Sequence, residues 1–497
     1  MSFIDKDLLS IQEARILMES AREARENMLT FPQEKLDQIV GTLAAAAKEM
    51  AEELAVLSAD ETGYGRWQDK FVKNTFVCET LNEQLKDLTC VGILKEDFEK
   101  KTMDIGVPVG VIAALTPAVS PVSTAINNVL IAVKSGNPIV IAPHERAKKV
   151  TEKLLSRMQV AGKSCGLPEG AIGYLKTITQ AGVLELIHHP AAAMVVNTGV
   201  PELCKKAAES GKPYIYGGTG NGPVFIERTA DVRQAVADII TSRTFDYGIV
   251  SAAEQYVVVD GVIAAEVKAE MLKNHAYFMN SQEEEMLIDL LCLESGKADT
   301  EIMGRPAAWL AKRAGFEIPD TTTVLVSEQK YISERNPFAK ELLCPVLAYY
   351  IEHDWMHACE KCMSLLVNES HGHTLVIHSR DEEVIRQFAL KKPVGRVLVN
   401  TPATLGSMGA TTNLFPAMTL GSITSGAGIT ADNVSPMNFI YTRKVGYGVR
   451  KAEEFLKLTD RTSNSDKTAP SGTTSVDDTK ALLKQILEAL SKELDEK

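Results

Sequence analysis

Val107-Pro-Val-Gly-Val-Ile-Ala-Ala-Leu-Thr-Pro117 is an apolar, β-branched run closed by a proline. Such a run, between breakers and too short for a helix, reads as a buried strand over Val107–Ala114. Moving outward, the same texture returns at Pro138–Ala142, Ala193–Asn197, Tyr214–Tyr216 and Pro223–Ile226. Segments with helical spacing, Glu145–Ala161 and Val200–Ser210, lie between them. Strands alternating with helices predict an α/β fold whose parallel sheet is covered on both faces. A second set of units runs from Ala230 to about Pro402, with strands at Tyr256–Val259, Thr323–Val326, Val346–Ile351, Thr374–His378 and Arg396–Asn400. Two α/β domains follow, with a seam near Ile226–Glu227. Leu36, Ile39, Val40, Leu43 and Ala47 give the N-terminal region, residues 8 to about 60, a helical stripe. Val91–Ile105 and Met437–Arg443 read as strands outside both sheets, a ribbon suited to subunit assembly.

The bulk properties narrow the classes. The chain has 497 residues, 45% hydrophobic and 24% charged, enough for two or three domains with a sizeable core. A net charge of −12 argues against nucleic acid or an anionic membrane as the main partner. The longest apolar stretch, Val107–Ala142, is broken by four prolines and contains Asn127, Asn128 and Lys134, so it is core and not a membrane span. Eight cysteines in a chain this long, with a charged, helical N-terminus, predict reduced thiols in a cytoplasm. Cys359-Glu-Lys-Cys362 has no second pair nearby and reads as a helix-face coincidence. His188-His189 and His371-Gly-His373 read as turn or packing histidines, so no metal site is expected.

Five segments carry the chemistry. Gly211-Lys-Pro-Tyr-Ile-Tyr-Gly-Gly-Thr-Gly-Asn-Gly-Pro223 runs a strand into a loop with four glycines in six residues, which lets backbone approach a ligand or another loop closely. With it stand Val107–Pro117, Thr244-Phe-Asp-Tyr-Gly-Ile-Val-Ser-Ala-Ala-Glu-Gln255, Glu341-Leu-Leu-Cys-Pro-Val346 and Gly372-His-Thr-Leu-Val-Ile-His-Ser379. In this order and at these separations, from about Ile11 to Gly448, they resemble the aldehyde dehydrogenase superfamily. Ala142-Pro-His-Glu-Arg-Ala147, Thr244-Phe-Asp246, Ala253-Glu-Gln255 and Gly372-His-Thr374 resemble its coenzyme A-acylating branch, the acetaldehyde and propionaldehyde dehydrogenases often housed in bacterial microcompartments.

The resemblance implies a Rossmann-like NAD-binding domain over residues 1–226, with its ribbon at about 91–105. It implies a catalytic domain over 227–401 and a return to the first domain over 402–458 that includes an oligomerisation strand. It implies oxidation of a short-chain aldehyde with NAD and coenzyme A, in a homo-oligomer. Cofactor contacts are expected from Thr116, Pro117, Pro143, His144, Arg146, Thr198, Gly199, Val200, Gly217, Gly218 and Glu341. The segment Asn197–Val200 precedes a helix whose N-terminus suits a pyrophosphate. The glycine-rich loop has no carboxylate, which suits transfer to a thiol, a group that ionises near pH 8.5 without much help.

Three positions depart from the family pattern. Ser251 stands at the nucleophile cysteine, Ser120 at the asparagine that supports the oxyanion, and Gly421-Ser-Ile-Thr-Ser-Gly-Ala-Gly428 has no aromatic residue. A serine needs a general base, and the motifs supply no evident one; Glu254 is near only in sequence, and Cys344 is the one thiol worth considering as a substitute. The expectation is therefore a chain with little acylating turnover that still binds nucleotide. The alternative is a non-catalytic homologue that binds nucleotide or fills a structural position in an assembly.

Residues 459–475 are a Ser/Thr/Gly/Pro-rich linker. Residues 476–497 follow, with Leu482, Leu483, Ile486, Leu487, Leu490 and Leu494 on one stripe. This tethered amphipathic helix is similar to the encapsulation peptides that take enzymes into microcompartments, and a shell or cargo partner is expected for it.

Overall fold

The computed structural model describes residues 5–218, 220, 222–291, 300–333, 336–368, 372–423 and 428–456, with 477, 480, 481 and 483–485 beyond. These fall into two units, one made of the residues up to Lys95 and Asp104–Arg443, the other of Glu96–Met103 and the residues from Lys444 onward. The linker at 459–475 and most of the C-terminal stripe lie outside the described residues. Lys480, Ala481 and Leu483–Gln485 are helical and exposed.

Fifteen strands occur among the described residues: β1 (Gly92–Asp97), β2 (Thr102–Pro108), β3 (Val111–Leu115), β4 (Ile139–Ala142), β5 (Ile172–Tyr174), β6 (Ala192–Thr198), β7 (Tyr214–Gly217), β8 (Gly222–Ile226), β9 (Glu254–Asp260), β10 (Ala276–Phe278), β11 (Val324–Glu328), β12 (Val346–Glu352), β13 (Thr374–His378), β14 (Arg396–Val399) and β15 (Ile440–Gly446). The opening stretch of the sequence is two strands and not one. Gly110, at φ 125°, separates β2 from β3.

The first sheet has the order β5-β4-β3-β6-β7, all parallel. Every residue of β3 and β4 is buried, as a sheet covered on both faces requires. The chain steps outward from β3 to β4 and β5, then returns to the other side of β3 with β6 and β7. The strand order reverses between β3 and β6, and ligands of open parallel sheets bind at the carboxyl ends of the strands beside such a reversal.

The second sheet has the order β10-β11-β12-β9-β8-β13-β14, again parallel. Here the structure differs from the sequence reading. The strand at Gly222–Ile226 pairs with β9 and β13, so it belongs to the second sheet. The chain changes sheets within the glycine-rich loop, where the missing side chains let it turn, and not after Ile226. The segment after β14 returns to the first sheet: Ser422 N–H donates to Tyr216 O and Ile429 N–H to Tyr214 O. β1, β2 and β15 form a separate three-stranded sheet in the order β1-β2-β15, on the residues expected to form the ribbon. No helix of the described residues is long and apolar enough to cross a membrane.

Candidate active site

A cavity of about 320 Å³ opens at the carboxyl ends of β3, β4, β6 and β7 and is closed by segments of the second sheet. Of the expected site residues, Pro117, Ser120, His144, Thr198, Gly199, Gly217, Gly218, Ser251 and Glu341 line it. Thr116, Pro143 and Val200 are buried beside them and do not line it, and Arg146 is exposed. Arg146 instead donates to the hydroxyl of Tyr64, a lining residue, at 2.8 Å.

Gly199 sits at φ 66° where the chain turns after β6, and its N–H donates to Gly217 O at 3.0 Å. That bond ties the ends of β6 and β7 together. The helical segment after it is short, a 3-10 turn at Pro201–Leu203 followed by Cys204–Glu209. Glycine is required further along the loop as well: a Cβ at Gly220 would lie 1.3 Å from the Ser251 carbonyl oxygen. The Gly220 N–H donates to Glu341 Oε1 at 2.7 Å. The loop, the nucleophile position and Glu341 are thereby locked together, and the contacts explain why glycine recurs at these spacings.

Two motif residues act as struts. Gln255 accepts from Leu342 N–H at 3.1 Å and donates to Leu342 O at 3.0 Å, which fixes Glu341 and Leu343 at the cavity wall. Glu254, the carboxylate considered near Ser251, accepts from Ala403 N–H at 2.8 Å and does not line the cavity. Burial pushes its carboxyl up to about 7. Cys344 is also set aside: it is fully buried, is not among the lining residues, and burial pushes its thiol up to about 12. None of the seven described cysteines lines the cavity.

The side chain that stands where a base for Ser251 would stand is His373, read from sequence as a turn or packing histidine. Its Nε2 is 3.3 Å from Ser251 Oγ, and it lines the cavity. Its Nδ1 is 2.7 Å from Thr374 Oγ1. The tautomer that donates from Nδ1 to Thr374 leaves Nε2 as the acceptor for the serine proton. Burial, then the nearby Arg396, holds its pKa well below the ordinary histidine value, so the imidazole is neutral at physiological pH. Arg396 positions it, donating to His373 O at 3.1 Å and to Ala431 O at 2.7 Å. His373 comes 122 residues after Ser251, and no local spacing joins the two.

Behind Ser120 lies a charge cluster. Lys73 Nζ donates to Ser120 Oγ at 2.7 Å and to Asp246 Oδ2 at 2.6 Å. Lys70 Nζ donates to the same carboxylate oxygen and to Val119 O, each at 3.1 Å. Asp246 Oδ1 accepts from Arg66 N–H at 2.7 Å, and Asp69 accepts from Asp246 N–H at 2.6 Å. Both lysines and Asp246 are buried. Burial pushes Lys70 down to about 8 against the pull of Asp246. Burial also works to raise the Asp246 carboxyl, but Lys70 and Lys73 outweigh it and hold it below the usual carboxylate range. Asp246 and Tyr247 occupy left-handed backbone, φ 52° and 54°, in the turn just before Ser251. Two such non-glycine residues cost about 1–2 kcal/mol each, which the cluster offsets. This is the physical content of the Thr244-Phe-Asp246 motif.

The model of the aldehyde dehydrogenase family matches residues 8–286, more than half of the chain. The chain belongs to the aldehyde dehydrogenase family. A probable aldehyde dehydrogenase from Listeria monocytogenes EGD-e superimposes with a TM-score of 0.89 at 42% identity, covering 91% of this chain and 100% of that one. Succinate-semialdehyde dehydrogenase (acetylating) of Clostridium kluyveri is 31% identical over 90% of this chain and 97% of its own length. The bifunctional aldehyde-alcohol dehydrogenase AdhE of Escherichia coli K12 is 35% identical over 90% of this chain but only 50% of its own, so the chain spans about half of that relative. Within this aldehyde dehydrogenase frame, Ser251 and His373 face one cavity 3.3 Å apart.

Proposed function

We propose that the chain works as a dinucleotide-dependent, coenzyme A-acylating type of aldehyde dehydrogenase, on a short-chain aldehyde, with Ser251 at the nucleophile position. The observation that carries the reading is one cavity that joins Ser251 and His373 to the strand-end turns at Thr198–Gly199 and Gly217–Gly218. Those turns suit NAD: Gly199, Gly217 and Gly218 bring side-chain-free backbone to the cavity wall, and Gly217 packs so close to Thr419 that a Cβ would lie 2.9 Å from its Cγ2. Thr198, Gly199, His144 and Glu341 would hold it. NAD, when bound, supplies the hydride acceptor. The residues do the rest. Ser251 Oγ adds to the aldehyde carbon, and neutral His373 takes the serine proton. Once His373 has released that proton to solvent, its Nε2 can accept the proton of an incoming thiol, which at an ordinary pKa of about 8.5 gives it up far more readily than the serine does.

A second reading has its own support. With a hydroxyl at 251 and no described thiol in the cavity, the chain serves as a nucleotide-binding, non-acylating member of an assembly. One experiment separates the two: NADH formation from acetaldehyde or propionaldehyde with coenzyme A, for the wild type and for Ser251→Cys, beside NADH binding by fluorescence. Turnover that Ser251→Ala abolishes supports the first reading. Binding without turnover in the wild type and in Ser251→Cys supports the second. Loss of binding refutes both. For the amphipathic segment at 476–497 we propose a docking role inside a bacterial microcompartment in the cytoplasm, checked by co-purification with shell proteins before and after its deletion.

A further inference from the structure

We propose that Cys359 and Lys392 form a peroxide-sensitive modification site, where hydrogen peroxide joins the two side chains by a sulfur–nitrogen bond. Neither residue lines the Ser251 cavity, so the site stands apart from the chemistry described above.

The helix Trp355–Asn368 buries both Cys359 and Cys362, 6% and 0% exposed. Their spacing suggests a couple, but the helix keeps them from one. Side chains three positions apart on a helix hold their β-carbons about 5–6 Å from each other, whereas a disulfide needs about 3.5–4.5 Å. Cys362 is also sealed in the core, where burial pushes its thiol up to about 12. The partner of Cys359 comes from another element. Lys392 follows the helix Glu382–Leu390, and its Nζ lies 2.6 Å from Cys359 Sγ and donates to Cys359 O at 2.8 Å.

Lys392 is itself buried, with Nζ 4.3 Å from the centre of the Phe388 ring. Among the described residues no carboxylate pairs with it, so the group beside it able to balance a positive charge is the Cys359 sulfur. A buried ammonium without a counter-charge is costly, and a thiolate beside a lysine is the form of cysteine that peroxides oxidise. An approach exists as well. Cys359 borders a surface hollow of about 470 Å³, together with Trp355, Met356, Glu360, Met363 and Ser364. A small oxidant such as hydrogen peroxide suits this entry, because so little of the cysteine is exposed.

The reaction balances with one peroxide. The thiolate sulfur takes one oxygen, the oxygen–oxygen bond breaks, and the departing hydroxide takes a proton from the Lys392 ammonium. The products are a sulfenic acid, one water and a neutral amine. That nitrogen already lies inside the separation of about 3–3.5 Å at which groups are poised to react. Nζ then bonds to the sulfur, the sulfur–oxygen bond breaks, and hydroxide leaves with one amine proton as the second water. Sulfenic acids condense with nitrogen in this way. The sulfur is oxidised by two electrons and the peroxide is reduced by two.

The test exposes the reduced full chain to hydrogen peroxide and maps its digest by mass spectrometry without reductant. The expected product joins the peptide of Cys359 to that of Lys392, at the sum of their masses less two hydrogens, and a thiol reductant should release it. Cys362→Ala should keep the link, and Cys359→Ser should lose it. Lys392→Arg keeps a cation beside Phe388 but offers a guanidinium that stays protonated; it should lose the link and accumulate sulfenic acid at Cys359, captured by dimedone. Circular dichroism checks that each variant folds, and the wild-type digest decides the matter if one does not. A wild-type Cys359 that stays a free thiol while the partly exposed Cys165 is oxidised overturns the proposal. So does a Cys359–Cys362 disulfide, or a link that persists in Lys392→Arg. Joined peptides that retain one oxygen overturn the condensation step.

Discussion

Replacing Asp246 with Asn tests whether the buried charge cluster sets the turn that delivers Ser251. Asparagine tolerates left-handed backbone as aspartate does, so the φ of 52° stays accessible and only charge is removed. In the native cluster the cations Arg66, Lys70 and Lys73 face the anions Asp69 and Asp246. The substitution leaves three against one. Lys70 and Lys73, 2% and 1% exposed, both lose the carboxylate oxygen they share. Removing one partner of a buried pair costs about 3–5 kcal/mol, and two stranded ammonium groups place this change at the upper end. Lys73→Met leaves two cations against two anions, so its cost falls near the lower end, about 3 kcal/mol. The double variant should cost less than the sum by about 1–3 kcal/mol, because each change removes the charge stranded by the other. Urea unfolding followed by tryptophan fluorescence is the assay, with Trp67 in the same helix as Lys70 and Lys73 as a local reporter. If Asp246→Asn unfolds within about 1 kcal/mol of the wild type, the range of ordinary surface changes and small effects, or if the two changes simply add, the cluster does not hold the turn.

Ser251→Cys should raise aldehyde-dependent NADH formation at least about tenfold, since a thiol ionises several pH units below an alcohol; no rise would show that the oxyanion side of the site is also lost. Because burial and Arg396 lower the His373 pKa well below 6.5, its basic form persists into mildly acidic solution. Acyl transfer through Ser251 should then be flat from pH 8 to about 6.5 and fall only at lower pH, and a fall centred near 7 would contradict the assignment. Glu254 has the opposite shift, up to about 7 from 4.5, so the folded chain holds more protons than the unfolded one across that window and stability falls as pH rises through it. Glu254→Gln keeps an acceptor for Ala403 N–H and should flatten that dependence, on the order of 3 kcal/mol between the ends of the window; identical pH curves for the two proteins in chemical denaturation would count against a neutral buried carboxyl. Exposed Ile93 and Tyr441 on the three-stranded sheet, with exposed Phe98 in the turn after β1, predict that its edges pair with a second copy, so sedimentation should show an oligomer at micromolar concentration.

The sheets were legible because burial on both faces leaves long β-branched runs, as in β3, β4 and β9. β5 and β10 were not, since three residues each carry too little pattern. The placement of Gly222–Ile226 was also hidden: a fully buried strand reads alike in either sheet, and only its partners decide. Among site residues, Ser251, Glu341 and the glycine loop were readable from motif order. Gln255 and Asp246 were visible as letters of a motif but not as struts, because their partners Leu342, Lys70 and Lys73 lie far off in sequence. A signal for His373 exists: Gly372-His-Thr374 is one of the motif segments, and its histidine stands directly before a buried strand, at the edge where β13 begins. Weighing it as a base required knowing that β13 lies next to β8, which local spacing does not contain.

Those contacts change how the departures at 120 and 251 are understood. Taken one at a time, each reads as a loss: an amide donor gone from the oxyanion side, a thiolate gone from the nucleophile. Taken with their neighbours, each hydroxyl has a partner suited to its chemistry. Ser251, a poor nucleophile alone, faces a neutral imidazole at 3.3 Å, and Ser120, a modest donor alone, accepts from an ammonium at 2.7 Å. Lys73 also serves Asp246, so its presence does not by itself establish catalysis. The discriminating change is therefore at the serine: Ser120→Ala leaves the Lys73–Asp246 pair intact, and a fall in acyl transfer with unaltered stability would place the lysine's second hydrogen bond in the chemistry and not in the fold.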